Sequence, residues 1–238
     1  MNSQSLLTEI QELSKAEFNY SFSTDLNELN RLGYGCSGIV MEAHVLYFEI
    51  KNIPTMLKTG RRHATRVYKM YHHALKEVAK ETGGLFSCIS PEGFLLIYPK
   101  EKYDTGYAID TALKTANLFS KTLHDTIEEQ AHVNFSIGID MGNILCTKVQ
   151  SDNDTDRMIW VGTAINKAKA IADECNRPFY VGTSGTVFQH LDENHRYTTK
   201  KILGIKKQVE IWTTVSYQFE NVKKHLHQTN LLKSFEDQ

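Results

Sequence analysis

No stretch of this 238-residue chain approaches the ~20 consecutive apolar residues that a membrane-spanning helix needs, so no membrane partner is expected. Cysteine is scarce. Cys36, Cys88, Cys146 and Cys175 stand far apart and none belongs to a Cys-x-x-Cys pair, which argues against zinc. The opening segment, MNSQSLLTEIQELSKAEF, lacks an apolar core long enough for a signal peptide. With no export signal, the expected compartment is the cytoplasm and the thiols are expected to be reduced. Charge is balanced, with 27 Lys and Arg against 28 Asp and Glu. No global field therefore favours nucleic acid or an anionic surface, and no nucleic-acid partner is expected. Repeats, low-complexity tracts and internal linkers are missing too, as is any Ser-His-Asp or Cys-His arrangement. His72 and His73 are adjacent, not at the i,i+4 spacing of a helical metal pair, and read as surface residues.

What is present is ordinary globular composition, 41% hydrophobic and 23% charged, over a length that supports one large core. Helical periodicity predicts a helix over 3–18, through Leu6, Leu7, Ile10 and Leu13. A second runs over 59–81, through Ala64, Val67, Tyr71, Leu75 and Val78, and stops at Gly83-Gly84. Others are predicted over 105–128 and from about Gly162 to Cys175. Strands are predicted at 44–50, in LFSCIS and FLLIY around the turn Pro91-Glu92-Gly93, and in VNFSIGI and NILCTKV around the turn Asp140-Met141-Gly142. FYVG, RYTTKKILG and KKQVEIWTTV complete the strands. The tail from 217 places Phe219, Val222 and Leu226 at helical spacing. Three regions follow: an N-terminal helix and loop extension (1–39), a main domain (40–216) and a C-terminal helical tail (217–238). Helices interleaved with hairpins predict an α+β sandwich, not a doubly wound parallel sheet. RLGYGCSG reads as a turn region, because no Gly-Lys-Ser/Thr follows it. GTSGT (182–186) reads as helix capping, and Arg61, Arg62 and Arg66 as a solvated basic patch.

The apolar strand VLYFEI carries Glu49 near its end, ahead of Lys51, Asn52, Ile53 and Pro54. A carboxylate in a buried strand is costly unless paired or bound to a metal. In a split β-α-β-β arrangement the end of the first strand lies beside the hairpin turn, so Glu49 and Glu92 become neighbours. Two carboxylates at close range repel unless a cation lies between them. Hard oxygen ligands suit magnesium or manganese, whose shell is completed by phosphate oxygens and water. Backbone N–H groups around Ile50 to Ile53 are placed to receive a phosphate. The competing reading pairs Glu49 with Lys51 and leaves Glu92 as a solvated turn residue.

The order and the local motifs resemble the class III nucleotidyl cyclase domain over about residues 40–215. FEIKNI resembles the end of that family's first strand, and SPEGFLLIYP its Gly-Asp-Gly hairpin. FSIGIDMGNILCTKV resembles its Arg-Ile-Gly-Ile-His segment, IWVGTAINKAKAIAD its Asn-bearing helix and LGIKKQVEIW its closing hairpin. The resemblance implies a ferredoxin-like or palm-type sandwich and a head-to-tail homodimer with active sites at the interface. It implies conversion of a nucleoside triphosphate to a 3′,5′-cyclic monophosphate and pyrophosphate with two Mg2+ or Mn2+ ions. Carried over, Glu49, Ile50 and Glu92 are metal candidates, and Asn166 and Lys206 catalytic candidates. Ile159 and Trp160 line the base, while Asn52, Ile53 and Lys169 are phosphate candidates. A diguanylate-cyclase-like palm fits less well, since Pro91-Glu92-Gly93-Phe94 offers one acid only.

Departures from the family pattern shape the expectation. Both metal acids are Glu rather than Asp, one methylene longer. The family's Arg four residues after the Asn is Ala170 here, with Lys167 and Lys169 on other helix faces. Ser136 stands where some members carry Arg, and Ser90 and Pro91 alter the segment before the hairpin acid. Ile159 occupies a position where purine-selective members often carry a polar selector. That argues against adenine and leaves open a pyrimidine, such as that of UTP; some bacterial relatives make cyclic pyrimidine nucleotides in antiviral defence. The alternative is a degenerate cyclase-fold dimer acting as a nucleotide-binding or protein-interaction module.

Overall fold

Strand β2 (Ser37–Lys51) is the axis of the structure, a computed structural model describing residues 3–58, 60–123, 134–149, 157–202 and 205–235. Val45, Leu46, Tyr47 and Phe48 are all buried, so both faces of this strand are covered. That explains an apolar run without alternation. β2 pairs antiparallel with β4 (Gly93–Pro99) on one side and with β5 (Asn134–Val149) on the other. β3 (Leu85–Cys88) lies outside β4, and β7 (Val181–Ser184) runs parallel to β5. With β10 (Thr213–Phe219) and β11 (Val222–Thr229) at the far edge, the sheet order is β10-β11-β7-β5-β2-β4-β3. β1 (Asn19–Phe22) pairs parallel with the start of β2, and β6 (Arg157–Val161) pairs with the end of β5. The four strands β5-β2-β4-β3 have the ferredoxin-like order expected of a split β-α-β-β unit.

Three helices cover this sheet. α1 (Ser3–Lys15), α2 (Leu26–Arg31) and α3 (Ile53–Lys58) precede α4 (Arg61–Thr82) and α5 (Thr105–Asn117). α4 and α5 bury Val67, Tyr71, Leu75, Ile109 and Leu113 on Leu46, Phe48, Ile50, Phe94 and Leu96. α4 stops at Gly83, whose φ of 70° is the left-handed cap expected there. α6 (Thr163–Glu174) covers the opposite face, where Ile165, Ala168 and Ala172 join Val45, Tyr47 and Ile97. Ser184 caps the short α7 (Gly185–Gln189), accepting from Val187 N–H, so GTSGT does serve capping. The four-residue α8 (Glu193–Arg196) leads into a separate ribbon of β8 (Tyr197–Ile202) and β9 (Ile205–Glu210).

Several sequence expectations are corrected. The predicted hairpin at Asp140-Met141-Gly142 does not form. β5 runs unbroken because both halves pair with the same continuous neighbour, Asp140 opposite Val45 and Gly142 opposite Ala43. β2 begins at Ser37 rather than at 44, and Ile53 opens α3 rather than a loop. The C-terminal tail is not helical. It contributes β10 (Thr213–Phe219) and β11 (Val222–Thr229), joined at Glu220 and Asn221 with φ of 50° and 62°. Two positive φ values in a two-residue turn give the primed hairpin geometry that matches strand twist. Tyr217, Phe219 and Leu226 then pack together on Ile171 and Cys175 of α6. Trp212, predicted within the strand KKQVEIWTTV, is buried but sits between β9 and β10. The helix predicted over 105–128 is α5 followed by a π-helical turn, Leu118–Leu123; the rest of that range, and the acidic loop 151–156, lie outside the described residues.

α6 lies unusually close to the sheet. Gly138 of β5 faces Gly182 of β7 in register. A Cβ on Gly138 would stand 1.9 Å from the Ala168 carbonyl oxygen, and one on Gly182 would stand 2.4 Å from Cys175 Sγ. Ser136 Oγ donates to the Ala172 carbonyl at 2.8 Å, which fixes the helix along its axis. Gly138→Ala is expected to destabilise by about 2–3 kcal/mol, the range for forced overpacking, measured by denaturant unfolding.

The C-terminal segment is held by Asp110 of α5. Its Oδ1 accepts from His195 Nε2 at 3.1 Å and from Lys233 Nζ, while His195 Nδ1 lies 2.6 Å from Asp192. Burial alone would raise Asp110, but the bonds from His195 and Lys233 outweigh it and hold the carboxyl at about 2. The bond to Asp110 raises His195 against its burial, helped by Asp192. A raised histidine stabilises below its ordinary 6.5 and loses that share as pH climbs past its folded value. A lowered carboxyl stabilises above its ordinary 3.8 and loses that share as pH falls toward about 2. Asp110→Asn is therefore expected to lower the melting temperature by about 3 °C at mid-acid pH. The gap to wild type should narrow on both sides of that window.

Candidate active site

The end of β2 and the β3–β4 turn come together as the split arrangement requires. Glu49 stands opposite Gly93, and Ile50 N–H donates to the Glu92 carbonyl at 2.9 Å. Glu49, Ile50, Asn52, Ile53 and Glu92 all line one depression of about 450 Å³, with Lys51, Pro54, Asp173 and Asn176. Asn52 adopts φ 62°, a left-handed conformation that asparagine tolerates better than most residues. Its carbonyl accepts from Thr55 and Met56 N–H, so the chain turns from β2 straight into α3 at the rim of the depression.

Glu49 is the most perturbed group there. Its Oε2 is buried without a hydrogen-bond partner. Burial raises its carboxyl to about 7, helped by the neighbouring carboxylate of Asp173 and opposed by Lys51 and Lys169. Lys51 Nζ lies 3.9 Å from Glu49 Oε2, at the outer limit of an ion pair. That ammonium is committed elsewhere, donating to the carbonyls of Asp173 at 2.8 Å and Cys175 at 2.6 Å. The Lys51 pairing is therefore present only as a distant contact and does not satisfy Glu49.

Asp173 and Asn176 were not singled out in the sequence. Asp173 ends α6, seven residues after Asn166, and only the seating of that helix brings it to β2. Its i,i+4 spacing from Lys169 was the available signal. Lys169 Nζ contacts the Asp173 carboxylate at 2.9 and 3.1 Å, which places this phosphate candidate beside the depression.

The other candidates are not brought to Glu49 within one chain. Ile159 and Trp160 lie on β6, beside Thr147 and Cys146, whereas Glu49 lies beside Ser136. Ten or more strand residues separate the two places, roughly 30 Å at ~3.4 Å per residue. Ile159 is 41% exposed. Trp160 is buried and donates its indole N–H to Ser87 Oγ at 3.1 Å, so its ring is used inside its own chain. Asn166 is exposed near the start of α6, and Lys206 is exposed on the β8–β9 ribbon. At the position of the absent Arg, Ala170 is half-buried against Ile171 and its neighbours. Lys167 and Lys169, on either side, lie 4.0 Å from Asp140 and 2.9 Å from Asp173.

No protein-family model matches the chain, and no curated protein matches its sequence. Solved structures do match. The chain is similar to a guanylyl cyclase at TM-score 0.65 and 13% identity, covering 84% of this chain and 97% of that one. It is similar to a non-canonical dimeric guanylyl cyclase domain from Blastocladiella emersonii at TM-score 0.59 and 12% identity, covering 82% and 99%. A class III adenylyl cyclase-like ATP-binding protein from Pseudomonas aeruginosa matches at TM-score 0.60 and 15% identity, covering 81% and 45%. The fold of this chain is thus that of the class III cyclase catalytic domains, a mixed α+β sandwich. Among the described residues no helix is long and apolar enough to cross a membrane.

The donor set fits a hard divalent cation. Glu49 and Glu92 would supply carboxylate oxygens to such an ion, and Glu49 Oε2 is buried with no hydrogen-bond partner in the chain. Among the described residues no three His, Cys, Asp or Glu side chains are gathered closely enough to hold an ion alone. A ligand's own oxygens would have to complete the shell. Because Glu49 is raised when folded, its ionisation costs stability as pH rises from its ordinary 4.5 through about 7. In EDTA, Glu49→Gln is expected to melt several degrees above wild type at pH 8 and to show no such gain at pH 5.

Proposed function

We propose that the chain is a nucleotidyl cyclase that works as a homodimer with Mg2+ or Mn2+. The observation that carries this reading is the convergence of Glu49 and Glu92 at one depression, with a buried carboxylate oxygen lacking a donor, on a fold whose solved neighbours are cyclases. Glu49, Glu92 and the Ile50 carbonyl would hold two ions. Bound there, the ions would supply Lewis acidity for the ribose 3′-hydroxyl and balance charge growing on the α-phosphate. Asn52, Ile53 and Lys169 would orient the triphosphate at the rim. Asn166 and Lys206 of a second copy would approach that phosphate, and Ile159 of the same copy would contact the base. The ~30 Å between Glu49 and Ile159 in one chain supports a head-to-tail pair, since each chain holds two half-sites at opposite ends.

An apolar Ile159 offers no hydrogen bond to the purine edge, which supports a base other than adenine, with a pyrimidine triphosphate such as UTP as the leading candidate. A second reading, a catalytically silent nucleotide-binding dimer, is favoured by one observation. Ala170 leaves no guanidinium on α6, and Lys167 and Lys169 beside it are already opposite carboxylates.

Incubation with ATP, GTP, CTP and UTP in manganese, read by mass spectrometry for cyclic monophosphate, separates the two. One cyclic product is expected, reduced at least ~10²-fold by Glu49→Ala or Glu92→Ala, the cost of removing a group that stabilises transition-state charge. No product from any of the four, from a folded dimer that still binds nucleotide, would establish the silent reading. Ile159→Lys is expected to change the ratio of rates among the four bases while leaving the melting temperature within a degree or so, as for an exposed position.

A further inference from the structure

A second concave site lies on the far side of β5. β11 pairs with β7 only from Thr229 to Leu226, where β7 ends at Ser184 and the chain turns away into α7. The β10–β11 hairpin continues for four more residues, 222–225, with no neighbour from β7. The gap left there is a pocket of about 530 Å³. Its lining includes Lys167 from α6, Lys224, His225 and His227 from β11, and the hydroxyls of Thr186 and Tyr217, with no carboxylate among the lining residues. The nearest acid is Asp140. It is only 1% exposed, accepts from Ser184 Oγ, and stands 4.0 Å from Lys167. Its charge is thus turned inward. Burial lowers His227 despite the nearby carboxylate of Glu210. Its Nδ1 meets Thr214 Oγ1 at 3.0 Å, and His225 Nδ1 meets Ser216 Oγ at 3.5 Å, so the positive charge at the pocket comes from Lys167 and Lys224. Lys224 and the imidazoles of His225 and His227 border the gap from the two faces of β11, and a cavity lined by lysine with no carboxylate in its lining favours an anion.

We propose that this pocket binds a small phosphate-bearing molecule. It is separate from the depression at Glu49, since β5 and β2 lie between β7 and the β3–β4 turn. The proposal does not depend on turnover at Glu49. α6 connects the two places, carrying Lys167 at this pocket and Asp173 at the other.

The test uses the full chain in EDTA, so that no divalent ion draws phosphate to Glu49, with inorganic pyrophosphate as the probe and calorimetric titration as the readout. Saturable binding is expected. Lys224→Ala with His225→Ala should weaken it at least ~10-fold, the scale of a lost charged hydrogen bond. Lys224→Arg should retain it. Both positions are solvent-facing, so the circular dichroism and melting temperature of these variants should match wild type. Glu49→Gln should leave the affinity unchanged. Absence of saturable binding, binding indifferent to the double substitution, or binding lost in Glu49→Gln would each overturn the proposal.

Discussion

The close seat of α6 on β5 and β7 governs what the rest of the molecule can do. Two facing glycines, Gly138 and Gly182, let a helix backbone descend onto strand backbone, and Ser136 pins its register along the strand. A side chain at Gly138 would run into the backbone of α6, and one at Gly182 into the side chains of Cys175 and Ile171. Everything functional on α6 follows from that depth. Asp173 and the carbonyls that bind Lys51 arrive at Glu49, Lys167 arrives at Asp140, and Asn166 remains exposed. The site is therefore built by packing first and by charge second.

That packing creates an electrostatic problem at the end of β2. Glu49 is half-buried, its Oε2 has no hydrogen-bond partner, and Lys51 directs two of its three N–H groups to the carbonyls of Asp173 and Cys175. A structural ion pair would have brought Lys51 within hydrogen-bond distance; 3.9 Å is not that. Such a carboxyl is either neutralised by a proton, which its rise to about 7 and its contact with Asp173 favour, or compensated by a cation, for which the proposed divalent ion shared with Glu92 has the right hardness. The added methylene of glutamate does not weaken this argument, because both acids are lengthened together and the Ile50–Glu92 backbone bond keeps them abreast.

Much of this was legible in the residues. Helical spacing identified α4 and α6, and the adjacency of Glu49 and Glu92 followed from a split β-α-β-β order with a tight hairpin. What failed did so for identifiable reasons. Asp140-Met141-Gly142 has turn composition, but a 15-residue partner strand overrides it, and the aspartate is accommodated by Ser184 from 44 residues away. The tail was misread because Phe219, Val222 and Leu226 satisfy helical spacing only if Glu220 and Asn221 are ignored, and those two residues reverse the chain. Asp173 escaped notice because its role depends on helix depth, a property of Gly138 and Gly182 that no local pattern announces.

The position of Ala170 follows from the same constraint. It is half-buried against the β10–β11 side of α6, where Ile171 and Cys175 meet Tyr217 and Leu226. The C-terminal hairpin, which the sequence disguised as a helix, is what presses on that surface. The same hairpin that packs beside Ala170 also brings Lys224, His225 and His227 to the end of β7.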